Sequence, residues 1–177
     1  MRSLVEAARA HDFPAEIVLV LSNRPAASGL DFAAQMGIQT VCIDHKAFGR
    51  RADFEAQMQN ILLAANIELV CLAGFMRLLT PAFVNAWHGR MINIHPALLP
   101  AYKGLHTHER ALADGAEQHG CTVHFVTPEM DEGEIILQRA VPVLAGDTPE
   151  TLAARVLEQE HIAYPLALAS VAKRLQV

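Results

Sequence analysis

The chain is short of cysteine, of aromatic residues and of long apolar runs, and each scarcity closes off a class of protein. Three cysteines, Cys42, Cys71 and Cys121, stand far apart with no C-x-x-C pair. That spacing supports neither a disulfide scaffold nor a zinc ribbon, and two of the three lie in apolar runs as small core residues. No stretch reaches the roughly 18 uninterrupted apolar residues of a membrane span. The amphipathic opening also lacks the apolar heart of a signal peptide. Basic charge is scarce as well: 14 Lys and Arg stand against 19 Asp and Glu, a net charge of -5, with no basic run dense enough to track a phosphate backbone. Neither nucleic acid nor membrane is an expected partner, and a reducing cytoplasm is the expected address.

What remains is an ordinary globular composition. At 177 residues, 52% hydrophobic and 19% charged, the chain is too apolar for disorder. It suffices for a single domain, residues 1–177, that buries roughly 70% of its unfolded surface. Short β-branched runs alternate with segments of helical period, which predicts an α/β fold: a Rossmann-like, mostly parallel sheet flanked by helices. The expected strands are Glu16–Ser22, Gln39–Ile43, Ile67–Ala73 and Met91–Ile94, then Cys121–Thr127 and Ile135–Val143 as an antiparallel extension near the C-terminal half. From Arg51 to Asn66, the positions of Phe54, Met58, Ile61, Leu62 and Ala65 recur at three and four residues, one stripe of a helix facing a sheet. Thr148 and Pro149 open a last helix, with Leu152, Val156 and Ala163 on its inner stripe, and Pro165 is expected to interrupt it.

Three features suggest chemistry. Asn93 and His95 alternate along a strand and project to one side, about 7 Å apart along the chain. Pro96 then stops the strand at its carboxyl end, where parallel sheets bind ligands. The same pair also fits an ordinary strand end, satisfying loop backbone groups. Asp131, in the turn with Glu132 and Gly133, suits a hairpin for conformational reasons alone. If that turn folds back over His95, its carboxylate favours the protonated imidazole and makes it a donor toward an oxyanion. Glu160 falls on the buried stripe of the last helix and needs a partner, either a neighbouring base or a substrate group. His95, His106, His108, His119 and His124 crowd into thirty residues, but no spacing typical of zinc supports a metal site, and none is expected.

The strings LAGFMRLLTPAF, INIHPALLPAYKGLHTH, HGCTVHFV, MDEGEIILQ and ARVLEQEHIAYP closely resemble phosphoribosylglycinamide formyltransferase, the folate-dependent family of purine synthesis. The N-x-H-P-x-L-L-P part is shared with other users of 10-formyltetrahydrofolate; GLHTH at Gly104–His108 and the ending QEH-x-x-YP are more particular to this family. The resemblance implies attack of the amine of glycinamide ribonucleotide on the formyl group of 10-formyltetrahydrofolate, with Asn93, His95 and Asp131 as the catalytic set. It implies a folate pocket from Phe75, Met76, Arg77, Leu78, Leu79, Val126, Pro128, Glu129 and Met130. For the ribonucleotide it implies Arg51, Glu160 and His106, in a monomer or homodimer. A deformylase-like hydrolase and a non-catalytic folate-binding module are the alternative expectations, with a metal-dependent hydrolase as an outsider.

One departure concerns the front of the chain. The family opens with a hydrophobic strand and a glycine-rich turn, G-x-G-S-N, leading into the helix that starts here near Arg2. The chain is therefore expected to be truncated relative to the family. The turn's amides would cradle the substrate phosphate, and the strand would lie in the sheet beside Ile67–Ala73.

Overall fold

A computed structural model describes residues 1–176. The elements follow in the order α1 (Arg2–Ala7), β1 (Leu19–Ser22), α2 (Ser28–Gln35), β2 (Gln39–Cys42), a 3-10 turn (His45–Ala47), α3 (Arg51–Ala64), β3 (Val70–Leu72) and α4 (Pro81–Ala86). They continue with β4 (Met91–His95), α5 (Thr107–Ala113), β5 (Gln118–Phe125), β6 (Ile135–Pro142) and α6 (Pro149–Leu175).

The strands form two sheets. β1 and β2 pair in parallel, and a second sheet runs β3-β4-β5-β6. Within it β3 and β4 are parallel, while β4–β5 and β5–β6 are antiparallel. The α/β architecture and the antiparallel extension expected from the sequence are both present. β1 and β3 come out shorter than the runs Glu16–Ser22 and Ile67–Ala73 predicted. Each has a ladder partner on one edge, β2 and β4 respectively. Their other edges line a groove of about 770 Å³ that also takes in Glu16, Ile17, Val18, Ile67, Glu68 and Leu69. Without a partner on that side, the ends of both runs form no ladder.

Alternation along β4 divides the core. Met91 packs with Ile43, Phe54, Met58, Leu62, Phe83 and Trp87 under α3 and α4, whereas Ile92 packs with Cys121, Val123, Leu152, Val156 and Leu168 under α6. Both faces of the strand are thus covered, and its carboxyl end is fixed from two sides. The predicted stripe of α3 is buried at Phe54, Met58 and Leu62.

Pro165 does not break the last helix, as the sequence pattern suggested; α6 runs 27 residues straight through it. The lost hydrogen bond is outweighed by packing: Ala163, Tyr164, Ala167, Leu168 and Val171 are each at most 2% exposed. The Tyr164 hydroxyl also donates to the Leu72 carbonyl at 2.7 Å, with that of Ile92 at 3.1 Å. Tertiary burial overrides a local breaker here.

Candidate active site

The site forms where β4 ends against β5. Register sets Asn93 opposite His124 and His95 opposite Thr122, so these four side chains stand on one face. Thr122 anchors the chain that leaves β4. Its hydroxyl donates to the Ala97 carbonyl at 2.6 Å and accepts from the Leu99 amide at 3.0 Å. Gln138 Nε2 adds bonds of 2.8 Å to the Leu99 carbonyl and to the Thr122 hydroxyl.

His95 is 5% exposed. Its Nε2 lies 2.9 Å from the Tyr102 carbonyl, which can only accept, so Nε2 carries a hydrogen. The other nitrogen, Nδ1, lies 3.5 Å from Asp131 Oδ2. A proton taken up at Nδ1 therefore meets a carboxylate. At 3.5 Å the contact is loose, as catalytic hydrogen bonds often are before substrate binds.

Asp131 is held by backbone rather than by a cation. Its Oδ2 accepts from the Gly104 amide at 2.9 Å, and its own φ of 55° lies in the left-handed region, tolerated by Asp better than by most residues. Two positions on, a Cβ at Gly133 would sit 1.7 Å from the Phe125 carbonyl oxygen. Only glycine lets the turn press this close to β5 and carry Asp131 over the strand end.

Asn93 Nδ2 lies 3.4 Å from His124 Nε2. His124 Nδ1 donates to the Phe125 carbonyl at 2.8 Å, leaving Nε2 of the neutral ring as an acceptor. Burial keeps that ring neutral by lowering its pKa, against the opposing pull of the Phe125 carbonyl and of Asp131. Asn93 spends one N–H on His124 and keeps the second for another acceptor. His124 Nε2 is also 3.7 Å from Asp131 Oδ1, so Asn93, His124, Asp131 and His95 form a chain of neighbours. His124 was not singled out for a role in the sequence; the alternation in HGCTVHFV, set against Asn93 in an antiparallel pair, was the available signal.

The remaining expected residues are more dispersed. Phe75, Leu79 and Val126 pack against the core cluster under α3 and α4. Met76, Leu78 and Met130 are 67%, 62% and 51% exposed, an unusual amount of apolar side chain facing water. Arg77 follows β3 in the same turn, and Pro128 and Glu129 are exposed in the turn after β5. Arg51 is exposed at the first residue of α3. His106 is exposed, with Nδ1 3.2 Å from Glu109 Oε1. Glu160 is half-buried on α6, and burial raises its pKa. None of these three touches Asn93, His95 or Asp131 in the contacts above. Among the described residues no three His, Cys, Asp or Glu side chains converge as metal ligands.

The fold and the site together are those of an α/β protein with a buried imidazole between a carboxylate and a carbonyl, and a carboxamide N–H at hand, at the edge of its sheet. Residues 1–168 match the family described as formyl transferase, and the chain belongs to that family. It is 44% identical to phosphoribosylglycinamide formyltransferase of Escherichia coli strain K12, over 95% of this chain and 79% of that protein. The crystal structure of phosphoribosylglycinamide formyltransferase from Brucella melitensis superposes with a TM-score of 0.93 at 50% identity, covering 97% of this chain and 88% of that one. It is also 52% identical to the trifunctional purine biosynthetic protein adenosine-3 of Gallus gallus, over 89% of its own length. The chain spans 16% of the length of that protein.

Proposed function

We propose that the protein transfers the formyl group of 10-formyltetrahydrofolate to the amine of glycinamide ribonucleotide, a step of purine biosynthesis. The observation that carries this reading is the convergence of Asn93, His95 and Asp131 at the carboxyl end of β4, in a member of the formyl transferase family. The amine nitrogen attacks the formyl carbon and forms a new C–N bond. The formyl oxygen gains negative charge and accepts hydrogen bonds from the second N–H of Asn93 and from Nδ1–H of protonated His95, which the loose 3.5 Å contact with Asp131 leaves able to share while the Tyr102 carbonyl engages Nε2–H. Asp131 holds His95 charged and passes the proton lost by the amine toward the departing folate nitrogen, as the old C–N bond breaks.

In this reading the apolar side chains of Met76, Leu78 and Met130, with Phe75, Leu79 and Val126 behind them, border the folate heterocycle. The backbone of Arg77, Leu78 and Leu79 and the turn at Pro128 and Glu129 edge it with polar groups. Arg51, His106 and Glu160 serve the ribonucleotide, Glu160 near its amine or ribose and Arg51 near its phosphate. The three free cysteines suit the reducing cytoplasm in which we place the reaction.

The test is mass-spectrometric detection of formylated glycinamide ribonucleotide from purified protein and both substrates, with a parallel reaction lacking the amine. Product that depends on the amine supports transfer. Formate released equally in both reactions would indicate a hydrolase, and folate binding without turnover a binding module.

A further inference from the structure

Arg110, on α5, lies outside the residues assigned above, yet one loop ties it to both members of the His95–Asp131 pair. Alternate residues of that loop take left-handed backbone: φ is 54° at Tyr102, 79° at Gly104 and 57° at His106. The carbonyls of the residues between them, Lys103 and Leu105, converge on α5. There Arg110 Nη1 donates to Lys103 at 2.7 Å and approaches Leu105 at 3.4 Å. The guanidinium carbon also lies 5.5 Å from the centroid of the Tyr102 ring. From the same five residues come the carbonyl that fixes His95 Nε2, at Tyr102, and the amide that fixes Asp131, at Gly104.

Left-handed conformation is unfavourable for a non-glycine residue. Tyr102 and His106 both bear that cost, so the loop needs an external hold. Other side-chain ties act elsewhere: Lys103 Nζ reaches Glu132 Oε1 at 2.8 Å, His106 Nδ1 lies 3.2 Å from Glu109 Oε1, the Thr107 hydroxyl donates to the Pro96 carbonyl at 2.7 Å, and the Tyr102 ring packs edge-on against His119. Arg110 alone among these binds the two carbonyls that flank Gly104. A planar fork with several N–H donors suits that task, and a lysine ammonium, a single point of charge on a flexible stem, does not.

We propose that Arg110 is a positioning residue for formyl transfer, a role that rests on the function proposed above. It locks the 102–106 loop so that Tyr102 orients His95 and Gly104 seats Asp131. Without the guanidinium, both contacts are made in a fraction of the molecules, and the pair that holds the imidazole charged is weakened.

The experiment compares Arg110→Ala and Arg110→Lys with Arg174→Ala, a control for loss of one exposed positive charge near the end of α6. Expected for Arg110→Ala is a fall in kcat of about 10-fold or more, short of or near the ~10²-fold that a 1 Å misplacement costs. KM should move little, and the melting transition should remain cooperative. Added methylguanidine should restore part of kcat, and Arg110→Lys should fall between wild type and Arg110→Ala. Amide hydrogen exchange at residues 102–106 should speed up in Arg110→Ala. Wild-type kcat in Arg110→Ala, or full recovery in Arg110→Lys, would overturn the clamp. If the wild type transfers no formyl group, the proposed function fails by itself; unchanged exchange at 102–106 then overturns the clamp separately, and faster exchange upholds it.

Discussion

Asp131 Oδ2 accepts the Gly104 amide at 2.9 Å while lying 3.5 Å from His95 Nδ1. One oxygen is thus anchored by backbone and aimed at an imidazole. The anchor needs no second cation, so the full charge of the carboxylate acts on His95. Asp131→Asn keeps the shape and removes that charge. Transfer is expected to drop about 10²- to 10³-fold with the melting temperature nearly unchanged; steady-state kinetics beside thermal melts check both parts.

Asn93→Ala and His95→Ala each remove one donor from the developing oxyanion, and each should cost about 10²- to 10³-fold in kcat/KM. Circular dichroism should show a retained fold. A variant at either position that turns over at the wild-type rate drops that residue from the catalytic set.

Two buried histidines, His119 and His124, and half-buried His108 make stability depend on acidity. Burial lowers the pKa of His108 and His124, and that of His119 falls from 6.5 to about 4, again chiefly through burial, with neighbouring His108 adding to it. Between those values the unfolded chain binds protons that the folded chain refuses. Stability is therefore complete above about pH 6.5 and is lost as pH falls toward 4, by on the order of 3 kcal/mol for His119. Both ring nitrogens of His119 are buried without a partner. His119→Phe should flatten the acid limb of a urea-midpoint curve measured across pH 4 to 7; an unchanged slope would remove His119 as its source.

Glu55 is 3% exposed and accepts from the Thr80 amide at 2.9 Å and from the Thr80 hydroxyl. That joins α3 to the start of α4, directly after the turn carrying Phe75 to Leu79. Glu55→Ala leaves two part-buried Thr80 donors without their acceptor and is expected to cost about 1 to 3 kcal/mol in chemical denaturation. Glu55→Gln, which keeps an acceptor, should cost less.

Gly133→Ala should damage the site from a distance. The new methyl would collide with the Phe125 carbonyl 1.7 Å away, so the turn must lift off β5 and take Asp131 with it. A lowered melting temperature together with a fall in transfer is expected. Loss of stability alone, with wild-type kcat at low temperature, would show that the turn adjusts without moving Asp131.

Local pattern was enough for much of this protein. The β-branched runs, the α3 stripe and the cap at Thr148 and Pro149 are written in neighbouring residues, because periodicity and capping act over one or two turns of chain. Asn93 and His95 were legible for the same reason, two side chains on one face of one strand. Pro165 was misread because its cost is local while the burial that offsets it, against β3, β4 and β5, is not. His124 was invisible because it depends on a partner 31 residues away, through the register of β5 against β4, and the Arg110 clamp because left-handed backbone at Tyr102, Gly104 and His106, which no periodicity announces, folds the nearby loop back over α5. Residue type and spacing determined which groups were available to react. The tertiary structure alone decided that Asp131, thirty-six residues beyond His95, comes to rest beside it, since that contact requires β5 to return antiparallel and its turn to close over the strand end.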